Sequence, residues 1–166
     1  MKKNWSIGLM TGTSNDGNID IAALQTDGNK IIDFGPFELF SYEDMEIKEL
    51  IFKTFKEAKK WNFEGKEPEI FSIIEKKITL EQSKAVLKFI DKYKLNKDYI
   101  SCIGFHGLTV LHQPVSSNTL SKKTKQLGDG KMMADYLQLP VVNNFRSNDI
   151  KHGGQGAPLA LSLIHI

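Results

Sequence analysis

Three short stretches of this sequence carry groups that suit an anionic or polyhydroxyl ligand. The first is residues 8–17, whose glycines allow backbone amides to approach a phosphate. Within it, Thr13 and Ser14 supply hydroxyl donors, and Asp16 can hold a magnesium ion directly or through water. The stretch matches neither the P-loop nor the dinucleotide-binding glycine pattern. The residues alone therefore leave two interpretations open, a phosphate-binding loop and an ordinary hairpin loop capped by Ser14 and Asp16.

The second stretch places His106, Thr109 and His112 directly after an apolar run at residues 99–105. That run predicts a buried strand, and α/β proteins commonly bind ligands at the carboxyl ends of such strands. Side chains of these types can bind sugar hydroxyls or phosphate. The spacing could also serve zinc, although no third ligand of a suitable type lies nearby in the sequence. A histidine that only bonds a loop carbonyl is the commoner alternative.

The third stretch contains Arg146 and, a few residues later, the run Gly-Gly-Gln-Gly that includes Gln155. The fork of donors on an arginine can clamp a carboxylate or a phosphate. The glycines around Gln155 make a tight backbone passage that can lie close to a ligand. The alternative is an ordinary surface turn in which Arg146 pairs with Asp149.

The elements that must position these stretches begin with strands and continue with helices. Apolar alternation predicts a three-strand meander at 5–10, 19–25 and 31–40, with a tight turn at 27–29. Helical spacing follows at 42–61 and 67–93, where Thr79 is a point of interruption. Beyond the strand at 99–105 we expect an exposed loop or hairpin at 113–125, a short helix ending at Leu137, and a strand at 141–145. This order predicts a mixed sheet with helices on its faces.

Composition bounds the class of protein. The 166 residues are 40% hydrophobic, enough for one core and one domain. A net charge of +2 gives no argument for nucleic acid or membrane as a partner, and the lysine cluster at 122–125 is typical of a solvated turn. The single cysteine, Cys102, predicts a reduced, buried thiol. The first apolar run is too short for export, so we expect a soluble cytoplasmic protein.

Taken in order, the motifs resemble those of the anhydro-N-acetylmuramic acid kinases. The motifs are the glycine stretch 8–17, His106-Gly-Leu-Thr109, His112-Gln-Pro114, Gln126-Leu-Gly-Asp129, Asn144-Phe-Arg146, Asp149 and Gly153-Gly-Gln-Gly-Ala-Pro-Leu159. The resemblance implies an α/β fold, a ribonuclease-H-like mixed sheet flanked by helices, as the first domain of an actin-like ATPase. Residues 1–160 would be this N-terminal domain, incomplete, with a truncation scar at 161–166 and the second domain absent.

The resemblance also implies a reaction and its ligands. In enzymes of this family, water attacks the anhydro bridge of the sugar, and the γ-phosphoryl group of ATP is transferred to the released 6-hydroxyl. The reaction serves cell-wall recycling. The implied contacts to ATP and Mg²⁺ are Gly12, Thr13, Ser14, Asn15, Asp16, Gly17 and Asp20, with Asp16 as the metal ligand. The implied contacts to the sugar are His106, Thr109, His112, Arg146 and Gln155.

The family's general base is an aspartate in a later Asp-x-Gly-Pro-Gly-Asn segment, so no residue here is expected to take that role. A homodimer is one expected assembly of the intact protein. Leu108 stands where the family commonly has a glutamine and Asn144 where it commonly has an aspartate, which removes a polar contact at each position. A non-catalytic nucleotide- or sugar-binding module of the same fold is the alternative function.

Overall fold

The computed structural model describes residues 4–11, 17–113 and 122–157. The strands in these ranges are β1 (Asn4–Thr11), β2 (Asn18–Thr26), β3 (Ile31–Ser41), β4 (Ile100–Phe105), β5 (Leu108–Gln113), β6 (Lys123–Leu127) and β7 (Val141–Val142). The helices are α1 (Met45–Trp61), α2 (Ile70–Lys92), α3 (Gly130–Leu137) and α4 (Phe145–Lys151). None of these described helices is both long and apolar enough to cross a membrane.

Five of the strands form a mixed sheet in the order β3-β2-β1-β4-β7. The strands β1, β2 and β3 are an antiparallel meander, while β4 and β7 run parallel to β1. Only β2 therefore runs against the others, which is the arrangement of a ribonuclease-H-like sheet and confirms the predicted fold class. The remaining strands, β5 and β6, pair as a separate antiparallel hairpin. Of the predicted loop or hairpin at 113–125, residues 114–121 lie outside the described ranges.

The turn between β2 and β3 forms where the sequence predicted it. The Asp27 carboxylate accepts hydrogen bonds from the amides of Asn29 at 2.9 Å and Lys30 at 3.0 Å. Gly28 has a φ of +90°, which a residue without a Cβ adopts readily. Local side-chain chemistry thus fixes the turn that joins β2 to β3.

The two long helices cover one face of the sheet. α1 begins where the Asp44 carboxylate accepts a hydrogen bond from the Glu46 amide at 2.9 Å. α2 is continuous, so the suggested interruption at Thr79 is wrong. The Thr79 hydroxyl donates to the Glu75 carbonyl at 2.7 Å, one turn back, and this bond is compatible with an unbroken helix.

The predicted strand at 141–145 is wrong beyond Val142. Val141 and Val142 pair with β4, but Asn144 adopts a left-handed conformation with a φ of +59° and ends the extended segment. Asparagine tolerates this conformation better than most residues. The chain then turns into α4, a helix of only seven residues that is too short to show a clear apolar period.

Alternate residues of the strands face opposite sides of the sheet. Ile7, Ile21 and Ile103 are each 1% exposed or less and pack in a single core with residues of α1 and α2. Their neighbours point to the other side, as the period of two requires. Cys102 is one of these neighbours and is only half-buried, so the expectation of a buried thiol is wrong.

The second face of the sheet is largely open within the described ranges. Phe37 is 80% exposed and Leu39 is 56% exposed on β3. Gly8 and Gly104 lie side by side on β1 and β4 and leave the middle of this face without side chains. The Phe145 ring of α4 lies near Gly104, so α4 covers part of this face. A cleft remains between the helix and the sheet.

Candidate functional site

The carboxyl ends of three parallel strands meet at one edge of the sheet. β1 ends at Thr11, β4 at Phe105 and β7 at Val142. The predicted phosphate-binding loop follows β1, the His106–Gly107 turn follows β4, and the segment leading to Arg146 follows β7. In this fold the three segments therefore all begin at the same edge of the sheet. This edge is where α/β sheets commonly bind ligands.

Most of the predicted phosphate contacts lie outside the described residues: Gly12, Thr13, Ser14, Asn15 and Asp16. Gly17 closes the stretch with a φ of +72°, and its carbonyl accepts a hydrogen bond from the Tyr42 amide at 3.1 Å. Asp20 lies on β2, two residues beyond the strand's start, and faces the open side of the sheet. Asp20 therefore lines the cleft next to the sheet edge.

The His106–Gly107 turn is held by a shared carbonyl. The Gly107 carbonyl accepts a hydrogen bond from the Thr11 hydroxyl at 2.7 Å and lies 3.1 Å from His106 Nδ1. Because a carbonyl can only accept, Nδ1 carries the proton and Nε2 is left as an acceptor. The His106 carbonyl is bonded in turn by the Gln126 side-chain amide at 2.8 Å.

The imidazole of His106 favours its neutral form. Burial lowers the pKa of His106; the hydrogen bond to the Gly107 carbonyl opposes this with a smaller effect, and the positive charge of Arg146 adds a still smaller lowering. Burial and Arg146 also lower the pKa of His112. Both rings are therefore expected to be neutral at pH values where a solvated histidine would begin to take up a proton, and each can accept a hydrogen bond from a hydroxyl.

A β-bulge brings Thr109 and His112 to the same face of the hairpin. Thr109 pairs with Gln126 and His112 with Thr124, and the register shifts between Thr109 and Leu111. Without that shift, residues three apart on a strand would point to opposite faces. Thr109 Oγ1, His112 Nδ1, Thr124 Oγ1 and Gln126 Oε1 are all buried without a hydrogen-bond partner among the described residues. Buried polar atoms are normally paired, so this face has capacity for a ligand or water.

Arg146 is buried in the first turn of α4, where it is 6% exposed. Its Nη1 donates to the Gly156 carbonyl at 2.8 Å, while Nε has no partner among the described residues. The alternative pairing with Asp149 is wrong, because the Asp149 carboxylate instead accepts the Gly156 amide at 2.7 Å. Burial lowers the pKa of Arg146 from its usual value. The guanidinium is thus desolvated without a described carboxylate to balance it.

The segment that contains Gln155 packs against this cluster. Gly156 is buried, and a Cβ placed on it would lie 3.0 Å from His112 Cε1. The segment therefore connects Arg146 with His112, and Gln155 is exposed beside it. Lys122 makes a second contact to this segment, because its ammonium donates a hydrogen bond to the Gly153 carbonyl at 2.6 Å.

The cleft between α4 and the open face of the sheet has a volume of about 1140 Å³. His106, Arg146 and Asp20 line it, together with the two glycines Gly8 and Gly104. Thr109, His112 and Gln155 are not among its described lining residues. The structure thus divides the predicted residues into one group on the cleft and a second group between the hairpin and the 153–156 segment, with Arg146 touching both.

The described residues contain no group of three or more histidine, cysteine, aspartate or glutamate side chains that could hold a metal ion. Asp16, the expected magnesium ligand, lies outside those residues. Two further contributors, Thr11 and Gln126, were not among the predicted site residues. Gln126 belongs to a motif that the sequence singled out, but its bond to the carbonyl of His106 depends on the pairing of β5 with β6.

Fold and site together define an α/β domain of the actin-like ATPase fold, with polar groups gathered at the carboxyl edge of a ribonuclease-H-like sheet. Residues 4–165 match the family model of anhydro-N-acetylmuramic acid kinase, and the chain belongs to this family. Relatives bearing that name include proteins of Rhizobium rhizogenes and Mesorhizobium japonicum, each 46% identical over 160 residues, and one of Jannaschia sp., 47% identical over 156 residues.

These alignments cover 94% to 96% of the chain but only 41% to 43% of each relative. The chain therefore spans less than half the length of the curated relatives it matches. The resemblance inferred from the motifs is confirmed, and so is the assignment to a family of kinases.

Proposed function

We propose that the full-length protein is an ATP-dependent kinase that converts 1,6-anhydro-N-acetylmuramic acid and water to N-acetylmuramate 6-phosphate and ADP in peptidoglycan recycling. The observation that carries the proposal is the match of residues 4–165 to the kinase family, and it is supported by the cleft that His106, Arg146 and Asp20 line together. The matched relatives are named anhydro-N-acetylmuramic acid kinases. A cytoplasmic location and a homodimer belong to the same proposal.

The nucleotide side of the proposed site is the segment that follows Thr11. In the proposal, Gly12, Thr13, Ser14, Asn15, Asp16 and Gly17 contact the phosphates of ATP, and Asp20 lies near them. A glycine loop at a strand end suits this role because its amides can point at phosphate oxygens. An aspartate such as Asp16 has the oxygen chemistry that Mg²⁺ prefers, and the ion would neutralise charge on the phosphates.

The sugar side of the proposed site is the cluster around Arg146. The substrate is an acid, and its carboxylate would pair with the buried guanidinium of Arg146, whose one hydrogen bond within the described residues goes to the Gly156 carbonyl. His106 Nε2 would accept a hydrogen bond from a sugar hydroxyl. Thr109, His112 and Gln155 complete the proposed contacts, and the unpartnered atoms of the first two support them.

Phosphoryl transfer depends mainly on the positioning of the reactants and on stabilisation of charge. The residues named here can bind and orient two ligands, but none of them is assigned as the base that activates water. That role is proposed for an aspartate in the Asp-x-Gly-Pro-Gly-Asn segment that the family carries further along the chain.

The proposal is tested by ADP release from the full-length protein with Mg-ATP and three sugars in parallel. The sugars are 1,6-anhydro-N-acetylmuramic acid, 1,6-anhydro-N-acetylglucosamine, which lacks the carboxylate, and N-acetylmuramic acid, which lacks the anhydro bridge. We expect the first to be turned over at least about tenfold more efficiently than either of the others. The sugar without a carboxylate leaves the buried Arg146 guanidinium unpaired, and N-acetylmuramic acid lacks the anhydro bond that the proposed reaction opens.

Absence of ADP release with the anhydro acid would contradict the proposal. Calorimetric binding of the nucleotide or the anhydro acid without turnover would instead support the alternative, a non-catalytic binding module of the same fold.

A further inference from the structure

The Gly107 carbonyl joins two parts of the proposed site that are far apart in the sequence. It accepts the hydroxyl of Thr11, 96 residues away, in a buried hydrogen bond of 2.7 Å. The same carbonyl oxygen lies 3.1 Å from His106 Nδ1. Thr11 is 6% exposed and is the residue immediately before Gly12, where the proposed phosphate loop begins. One carbonyl thus links the end of β1 to the orientation of the histidine ring.

The peptide that carries this carbonyl is tightly constrained. Gly107 has a φ of +69°, and a Cβ on it would lie 2.4 Å from the Leu127 carbonyl oxygen. The preceding carbonyl, that of His106, is bonded by Gln126 from β6. The turn is therefore held against the hairpin on one side, and the Thr11 hydroxyl ties it to β1 on the other.

We propose that Thr11 is a positioning residue of the kinase site, whose hydroxyl fixes the Gly107 carbonyl and thereby the tautomer and orientation of His106. The inference rests on the proposed function for its kinetic consequences, but its structural part stands on the hydrogen bonds alone. With Nδ1 donating to the carbonyl, His106 presents Nε2 as an acceptor to a sugar hydroxyl.

A buried threonine elsewhere in the domain provides a matched control. Thr54 in α1 is fully buried and donates its hydroxyl to the Leu50 carbonyl at 2.7 Å, the same kind of bond at the same length. Thr54 is not among the described residues that line the cleft, and its hydroxyl bonds within α1 rather than to the His106–Gly107 turn. Thr54→Val therefore removes a hydroxyl-to-carbonyl hydrogen bond of the same length, within one helix, at a residue outside the proposed site.

The experiment compares Thr11→Val, Thr11→Ser and Thr54→Val in the full-length protein. We expect Thr11→Val to lower kcat/KM for the anhydro sugar about 10- to 100-fold, because a small misplacement of a positioned group has large effects on rate. Thr11→Ser keeps the hydroxyl and should restore the wild-type value. Thr54→Val should lower the denaturation midpoint while kcat/KM stays at the wild-type value. Equal behaviour of Thr11→Val and Thr54→Val, or a Thr11→Ser variant as impaired as Thr11→Val, would overturn the inference.

A second readout does not depend on activity. Nitrogen-15 NMR of the imidazole, assigned with a His106→Asn variant, reports which ring nitrogen carries the proton. We expect the wild type to have the Nδ1–H tautomer of His106 and Thr11→Val to have a mixture of the two tautomers. An unchanged tautomer in Thr11→Val would contradict the role of Thr11, whether or not the protein is active. An inactive wild type with the expected tautomer shift would refute the proposed function and leave the positioning role intact.

Discussion

Replacement of Arg146 by methionine separates the requirements of folding from those of ligand binding. The guanidinium is 6% exposed, donates to one backbone carbonyl and leaves Nε without a described partner. Loss of the charged hydrogen bond removes about 1.5–3 kcal/mol of stabilisation. Loss of the buried charge relieves a desolvation penalty of several kcal/mol per ion. The two effects offset, so the free energy of unfolding should stay within about 2 kcal/mol of the wild-type value.

Binding of the acidic sugar should respond quite differently to Arg146→Met. Removal of one partner of a buried charge pair typically weakens binding by about 2–5 kcal/mol, or roughly 30- to 5000-fold. The carboxylate-free analogue, 1,6-anhydro-N-acetylglucosamine, has no such pair to lose. We therefore expect kcat/KM for the acid to fall toward the value for the analogue, with little change for the analogue itself.

The assay measures kcat/KM for both sugars and urea denaturation in the wild type, Arg146→Met and Lys122→Met. Lys122 also donates a hydrogen bond to a carbonyl of the 153–156 segment, at 2.6 Å. Unlike that of Arg146, this hydrogen bond is exposed to solvent, and Lys122 is not among the described residues that line the cleft. Lys122→Met should keep the preference for the acid. The reasoning is refuted if Arg146→Met retains that preference, or if it unfolds more easily by well over 3 kcal/mol, since Arg146 would then serve mainly to hold the chain in place.

Three further predictions concern stability. Gly107→Ala should destabilise the protein by about 1–3 kcal/mol more than Gly65→Ala in urea titrations, because both glycines have a φ of +69° but only the Cβ at Gly107 meets a backbone carbonyl; equal losses would contradict this. The lowered pKa of His106 means that the unfolded chain binds a proton that the folded chain does not, between that lowered pKa and about 6.5. Stability should therefore rise with pH across this window and fall on acidification, and His106→Asn should flatten the slope in denaturation series; an unchanged slope would count against it. Burial raises the pKa of Tyr42 to about 12, and its hydroxyl accepts the Gln82 amide at 2.8 Å, so Tyr42→Phe should lower the free energy of unfolding by about 1–3 kcal/mol in urea titrations, whereas an unchanged value would show that this bond contributes little.

The sequence predicted those features that depend on local chemistry. The meander follows from alternating apolar residues, and its turn follows from the carboxylate of Asp27 beside Gly28. The position of His106 at the end of a buried strand was predicted in the same way. These features need only neighbouring residues, so a single sequence is enough to predict them.

Other features could not be predicted because distant residues determine them. The bond from Thr11 to the Gly107 carbonyl spans 96 residues. The common face of Thr109 and His112 depends on a bulge that the strand pattern does not indicate. The burial of Arg146 depends on a short helix at 145–151 and on the fold of the 153–156 segment over it. In each case tertiary packing decides a position that local propensity leaves open.

The central claim is that the polar residues at the carboxyl edge of the sheet, Arg146 and His106 among them, belong to a kinase for an anhydro sugar acid. Mass spectrometry of the full-length protein's reaction with Mg-ATP and 1,6-anhydro-N-acetylmuramic acid tests it most directly. The account predicts N-acetylmuramate 6-phosphate and ADP in equal amounts, with a much lower yield from Arg146→Met. ADP formation without a phosphorylated sugar, or a phosphorylated product that still contains the anhydro bridge, would contradict it.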